Sequence, residues 1–316
     1  KRKIYKSIFR KKMKHFCTYF NETFLSRGLA MMDSLKSNNR NIKFYVLALD
    51  YKTFIKLKEL KKDYIKIINT RVFFKKYPEL KNQKYKRKIN EFCFLLTPYL
   101  IDYCLRTLSL KKIFYTDADL LFFDDCKKII SKLDKYSIIT SVHNFSKKNK
   151  FQENINGKFN VGFLGFKKNT ISLKCIRLWM KQCFFSTTLH DSFQTLIKGD
   201  QLYLNQWPIL YKRSFSSISN KFFNIGAWNF NDFQFKLKRN NAIFANNKKV
   251  LMIHANFIEF KNKNKIIISN NKRLKLLNEI VCEKYIESSK QLGIKNISIL
   301  KIGLANKLKK AIYDYF

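Results

Sequence analysis

The sequence predicts an α/β protein, a mostly parallel central sheet flanked by helices, and three observations carry that prediction. Short apolar runs alternate with helix-length amphipathic stretches between residues 15 and 254, as expected when strands are joined by crossover helices. The first run leads through a polar turn into a helix, the arrangement in which a nucleotide docks at a strand's carboxyl end. A later run, Ile113, Phe114 and Tyr115, ends by delivering Asp117 and Asp119 around Ala118, and a second apolar run follows at once.

Residues 1–14 are strongly basic, with Ile4, Tyr5, Ile8, Phe9 and Met13 at helical intervals. They read either as a cationic amphipathic helix on a membrane surface or as a solvated tail. Residues 15–20 are expected as the first strand and Asn21, Glu22 and Thr23 as a turn. The next helix aligns Phe24, Leu25, Leu29, Met32 and Leu35 on one face, and Arg27 in its first turn can reach a phosphate or sit in water. Residues 42–49 form the second strand, Asp50 caps a helix over 51–61, and 64–68 form the third strand. A basic loop follows over 75–87, then a helix over 90–107 interrupted or kinked by Pro98.

After the acidic pair, Asp124 and Asp125 head a helix to about residue 133, and a strand over 137–142 ends at His143. Residues 147–158 read as a polar loop. The apolar run 159–166 contains Gly162 and Gly165, and glycine inside a strand marks close approach of a ligand or another backbone. An amphipathic helix over 171–185 follows. Gly199, Asp200 and Gln201 open a further helix, which Trp207 and Pro208 end. Residues 221–229 and 250–255 are later strands. From about Lys261 the chain becomes lysine-rich, with helices expected near 271–292 and 302–315. The expected division is a basic N-terminal segment (1–14), an α/β domain (15–261) and a basic helical C-terminal extension (262–316), without internal repeats.

At 316 residues and 46% hydrophobic content the chain can bury a large core, which argues against wholesale disorder. No apolar run approaches the roughly 18 residues needed to cross a bilayer, and the start carries no secretory pattern. Residue 1 is lysine, which leaves the true N-terminus open. The seven cysteines (17, 93, 104, 126, 175, 183 and 282) are scattered in apolar patterns without a C-x-x-C. They read as small core residues in a reducing compartment, with no structural zinc. The formal charge of +42 attracts polyanions, whether nucleic acid, anionic lipid or phosphorylated substrates. The accompanying wealth of Asn, Ile and Phe also fits an AT-rich coding background.

Carboxylates at i and i+2 in extended chain point the same way, about 7 Å apart. Such a pair can share one hard divalent cation. Without a cation, desolvated like charges raise each other's pKa. An Asp-rich turn after a strand is the plainer alternative.

The ordered strings FCTYFNETFLSRGLAMMDSL, FYTDADLLFF, FNVGFLGFK, GDQLYL, AWN and IHANF resemble the GT-A glycosyltransferases. They are most similar to the retaining family 8 type and related bacterial surface-polysaccharide transferases, over about residues 15–261. The resemblance implies a Rossmann-like GT-A fold in which Asp117 and Asp119, with Ala118 between them, hold a divalent cation, manganese or magnesium, on the donor diphosphate. It makes His254 the third metal ligand, where the residue alone reads as a strand-end histidine. Lys261 is similar in placement to a lysine that contacts the leaving diphosphate. Asn160 matches an asparagine near the donor sugar, or else a turn residue. Asp200 and Gln201 match a pair lining the reaction centre, with Asp200 also readable as a helix N-cap. Trp228 and Asn229 border the sugar or acceptor, or belong to the core. Thr18, Asn21 and Thr23 match the segment that holds the nucleoside, with Asn21 where the family carries an acid, and His143 and Glu91 fall at polar active-site positions.

What the resemblance implies for function is metal-dependent sugar transfer from a nucleoside diphosphate donor to a glycan or lipid-linked acceptor in cell-surface polysaccharide or lipopolysaccharide biosynthesis. A uridine nucleotide is favoured. No carboxylate beyond those assigned stands out as a base for the acceptor, which favours retention of configuration. Basic ends would hold the enzyme at the cytoplasmic face of an anionic membrane, each nearby Lys or Arg contributing about 1 kcal/mol. The rival readings are a nucleic-acid-binding protein, for which no zinc pattern, RNP-like string or helix-turn-helix spacing is present, and a non-catalytic relative.

Overall fold

The computed structural model describes residues 13–186, 200–238 and 242–302. The expected helix over 302–315, nearly all of the basic segment 1–14, and the Gly199 that was to open a helix lie outside those residues.

Seven strands form the central sheet: β1 (Lys14–Phe20), β2 (Ile42–Ala48), β3 (Ile65–Asn69), β4 (Lys112–Thr116), β6 (Ile138–Val142), β7 (Phe159–Lys167) and β8 (Phe215–Ile218), with β5 (Leu120–Phe122) outside it. Their order is β3-β2-β1-β4-β7-β6-β8. Every neighbouring pair is parallel except those made by β7, which runs against both β4 and β6. The mostly parallel sheet is therefore as the sequence predicts, with one reversed strand, β7, inside it.

The longer helices are α1 (Leu25–Asn38), α2 (Tyr51–Glu59), α3 (Ile89–Asp102), α4 (Thr170–Ser186) and α5 (Lys275–Gln291). Leu29, Met32 and Leu35 of α1 are fully buried against Phe16 and Phe44 of the sheet. Burying each such side chain contributes about 1.5–3 kcal/mol. Phe24 leaves this face and is exposed beneath the Arg27 guanidinium, 3.4 Å from its ring centroid. Asp50 caps α2 as expected, its Oδ1 accepting from Thr53 N at 2.7 Å, and its Oδ2 also accepts from Glu22 N at 2.8 Å. One carboxylate thus starts a helix and fixes the turn after β1.

Four local expectations are corrected. The basic loop over 75–87 is built of short helical turns (Thr70–Lys76, Pro78–Leu80, Gln83–Lys86) that bury Phe73 and Leu80. The helix around Pro98 runs through it and changes to a π-turn only at Tyr103–Thr107. Asp124 and Asp125 precede two one-turn helices rather than heading one long helix. Pro208 sits in the first turn of a short helix, Trp207–Leu210, instead of ending one, because a first-turn proline loses no helical hydrogen bond.

Three smaller sheets flank the main one. β9 (Phe223–Ile225) and β5 sandwich β13 (Met252–His254), and β10 (Phe235–Lys238), β11 (Ala242–Ala245) and β12 (Lys248–Lys249) form a meander. β14 (Glu259–Asn262), β15 (Lys265–Ser269) and β16 (Ser298–Ile302) form the third, with α5 between β15 and β16. The 261/262 division therefore falls inside β14, and the following segment is β–α–β as well as helical. Its helix packs on the first one, where Ser289 Oγ donates to Ser26 Oγ at 2.8 Å.

Candidate metal and donor site

β4 ends at Thr116, so Asp117 leaves the sheet at the carboxyl edge of the parallel strands. Its backbone N–H donates to the Gly162 carbonyl at 2.9 Å, which ties the acidic turn to β7. β13 then brings a distant part of the chain alongside. It runs antiparallel to β5 with His254 opposite Leu120, and the Ala255 N–H donates to the Asp119 carbonyl at 2.9 Å. In consequence His254 Nε2 stands 3.1 Å from Asp119 Oδ1 and 3.8 Å from Asp117 Oδ2. One ligand atom from each of the three residues lies within 4.8 Å of the others. Two carboxylate oxygens and an imidazole nitrogen so close together fit a divalent cation.

The electrostatics fit the same purpose. Burial pushes the Asp117 carboxyl above the usual carboxylate range, His254 opposes the rise and Asp119 adds to it. Part of that side chain stays open, at 31% exposure. Burial also works against ionised Asp119, but the hydrogen bond and charge of His254, together with Arg27, hold it low. His254 is raised: burial disfavours its cation, and the two aspartates outweigh burial. A cation replacing the proton on His254 would relieve both carboxylates.

Two walls face these ligands. The first is made of neutral groups. Asn160 Oδ1 accepts from Gly162 N at 2.9 Å, and its Nδ2 lies 3.1 Å from His143 Nε2. A Cβ on Gly162 would stand 2.6 Å from Asn160 Oδ1 and 2.9 Å from His254 Cε1, so only glycine admits the histidine here. Trp228 packs edge-on to both His143 and His254, with ring centroids 5.0 and 5.2 Å away. Asn229 Nδ2 donates to the His143 carbonyl at 2.9 Å, and its Oδ1 accepts from Gly226 N. Trp228 is a buried wall of the site, and Asn229 holds the loop that carries it.

The second wall contains the ionisable groups. Tyr115 Oη donates to Asp117 Oδ1 at 2.8 Å. Tyr19 packs against Tyr115 and donates to the Cys93 carbonyl at 2.7 Å. Thr97 lies between the Tyr19 hydroxyl and the Asp200 carboxyl. Burial first, and Asp117 second, push Asp200 well above the normal range. Its backbone carbonyl accepts from Trp179 Nε1 at 2.9 Å, which fixes the turn bearing Asp200 and Gln201.

Asn21 and Thr23 bond each other, Thr23 Oγ1 donating to Asn21 Oδ1 at 2.7 Å on the turn after β1. Thr18 is fully buried in β1 and its hydroxyl has no hydrogen-bond partner within the protein. Arg27 lies between the Phe24 and Phe260 rings and near Asp119 and Glu259, which opposes the lowering of its pKa by burial. Ala118 is buried between the two acids. Lys261 is exposed on β14, whereas Lys263 beyond it pairs with Glu22 of the first turn. Glu91 caps α3, its Oε2 accepting from Lys88 N at 3.0 Å. Sequence reasoning missed Tyr19, Tyr115, Thr97 and Lys263. Tyr115 alone carried a signal, two residues before Asp117 and so on the same side of an extended chain.

No family model matches the chain. It is similar to two proteins of Bacillus subtilis (strain 168). To the uncharacterized protein YfnD it is 25% identical over 199 residues, 63% of each chain, and to the uncharacterized protein YfnF it is 22% identical over 246 residues, 76% of this chain and 80% of that one. Among solved structures it is similar to the galactosyltransferase LgtC in complex with donor and acceptor sugar analogs, with TM-score 0.56, 13% identity, and coverage of 86% of this chain and 95% of that one. The glycosyltransferase GlyE of Streptococcus pneumoniae TIGR4 matches with TM-score 0.52, 15% identity, and coverage of 89% of this chain and 62% of that one. The chain thus spans less than two thirds of both YfnD and GlyE. The fold is GT-A.

Proposed function

We propose that this GT-A chain is a divalent-metal-dependent glycosyltransferase. In this reading it moves a sugar from a nucleoside diphosphate donor, uridine diphosphate in first place, to a glycan or lipid-linked acceptor in cell-surface polysaccharide synthesis. One observation carries the reading: Asp117, Asp119 and His254 converge at the carboxyl edge of the sheet, with Asp200 on the facing wall. Manganese or magnesium held there would act as Lewis acid on the diphosphate as the anomeric C–O bond breaks.

The chain's own groups would do the rest. Tyr115 orients Asp117, and the β13–β5 ladder sets His254 beside Asp119. Asp200, raised above the usual carboxylate range by burial and by Asp117, would donate to a sugar hydroxyl whenever it carries its proton. That supports retention, in which the departing phosphate accepts the acceptor's proton. No helix among the described residues is long and apolar enough to cross a membrane. The +42 charge supports attachment to an anionic surface at the cytoplasmic face.

The test is a panel of nucleotide sugars scored for thermal shift and hydrolysis with and without manganese. A metal-dependent shift with at least one donor is expected. No shift and no hydrolysis across the panel would reject the transferase reading.

A further inference from the structure

His143 lies outside the group of metal-ligating side chains yet is joined to both strands that supply them. Along one route Asn160 Nδ2 meets His143 Nε2 at 3.1 Å, Asn160 Oδ1 accepts from Gly162 N at 2.9 Å, and the Gly162 carbonyl accepts from Asp117 N at 2.9 Å. Along the other the His143 ring meets Trp228, and Trp228 meets His254, both edge-on. Phe145 closes the far side of the imidazole, stacked at 4.6 Å.

The first route also fixes a proton. Because Asn160 Oδ1 is engaged by an N–H, the amide nitrogen is the end that faces the imidazole. An amide NH2 only donates, so Nε2 must accept and the ring hydrogen must sit on Nδ1. A protonated imidazole would set two donors against each other. Burial, with His254 second, pushes His143 down to about 3, in keeping with a neutral ring. The backbone of Gly157 and Lys158 approaches the ring, although Nδ1 completes no hydrogen bond.

We propose that His143 is a positioning residue of the metal centre: a neutral imidazole, protonated on Nδ1, that through Asn160 and Trp228 fixes the two strands bearing Asp117 and His254. This rests on the metal site proposed above. It makes Asn160 a link in that chain as well as a neighbour of the donor.

The test reads manganese affinity of the full chain by electron paramagnetic resonance, with and without uridine diphosphate, so it needs no sugar transfer. H143Q keeps an acceptor near the Nε2 position and should bind within about threefold of wild type. H143F keeps a ring without the acceptor and should lose about 10–100-fold, the usual loss when a ligand's outer support is removed. H143L also lacks the acceptor and should lose a similar amount. N160D is expected to bind close to wild type, because Nδ1 has no partner and the imidazole can move its proton to Nε2 and donate to the carboxylate. Circular dichroism establishes that each variant is folded. Wild-type affinity in folded H143F overturns the proposal; if H143F does not fold, wild-type affinity in folded H143L overturns it. Wild-type protein that binds manganese yet shows neither a thermal shift nor hydrolysis with any nucleotide sugar would reject the transferase reading and leave this one standing.

Discussion

The two walls of the site use different chemistry to act on the same three ligands. On the β7 side the polar groups are neutral and the amides are bonded to protein: Asn160 to Gly162 and His143, and Asn229 to Gly226 and the His143 carbonyl. On the β1 and α3 side the groups are ionisable: burial raises Asp200, and Tyr115 bonds to the Asp117 carboxylate that this wall faces. One wall is a frame of bonded amides around Asp117, Asp119 and His254, and the other carries groups whose charge burial shifts. Neutral amides suit the frame because their hydrogen bonds hold at any ordinary pH. Carboxyls suit the other wall because desolvation shifts them by amounts that matter.

Variants can break this contrast. The largest effect is expected for Asp117→Asn with Asp119→Asn, which belongs to neither wall. Both charged ligands vanish, and manganese binding and donor hydrolysis should each fall by about a thousandfold or more. Unchanged turnover would remove the metal from the mechanism.

Asp200→Asn addresses the ionisable wall alone. Turnover should drop about 100-fold while manganese affinity stays near wild type. The thermal midpoint should rise by about 2–4 °C at pH 8, since roughly 1 kcal/mol moves the midpoint of a domain this large by that amount. A carboxyl raised in the folded state contributes stability below its unfolded pKa near 3.9, lost as pH increases towards the folded value. The gain from asparagine should therefore be smaller at pH 4 than at pH 8. A lowered midpoint at pH 8 would show that Asp200 is bonded as a carboxylate.

Gly162→Ala addresses the amide wall. The added methyl meets Asn160 Oδ1 and the His254 ring, so manganese affinity should fall about tenfold, with the pH dependence of binding unchanged. A shifted pH profile would mean that the walls are not separable.

The smallest effect is that of pH on the metal-free protein. His254 is raised in the folded state, so its contribution is complete below its unfolded value of about 6.5 and is lost as pH rises through the folded value. Metal-free protein should lose stability above about pH 6.5, and manganese affinity should climb over the same window. Asp119 works in the opposite sense: held low, it contributes above about pH 3.9, and that contribution disappears as pH falls. Midpoints measured from pH 4 to 9, with and without manganese, check both.

The convergence of Asp117, Asp119 and His254 is the most legible part of the candidate site. Asp117 and Asp119 stand where a short apolar strand ends, and His254 ends another, so periodicity and a resemblance in motif order point to the cluster that the fold brings together. The C-terminal sheet was read only as helix because lysines flank KIIIS at residues 265–269 and dominate its surroundings, hiding a β-branched strand. The support from Asn229, Tyr19 and Thr97 was hidden because it depends on contacts between residues far apart in sequence. Gly162 was visible in part: a strand glycine announced a close approach without naming His254 as the group approaching.

The reversed strand β7 has one more consequence. Because it runs against β4 and β6, it begins at the edge where they end, and the chain leaves that edge at His143 and returns to it at Phe159. The excursion between them can change length without altering a sheet register, provided Ser146 and Asn149 stay on the Trp228 carbonyl. The surroundings of the site can thus be remodelled in the exposed part of that segment, while the buried pairing of β6, β7 and β4 is kept unchanged.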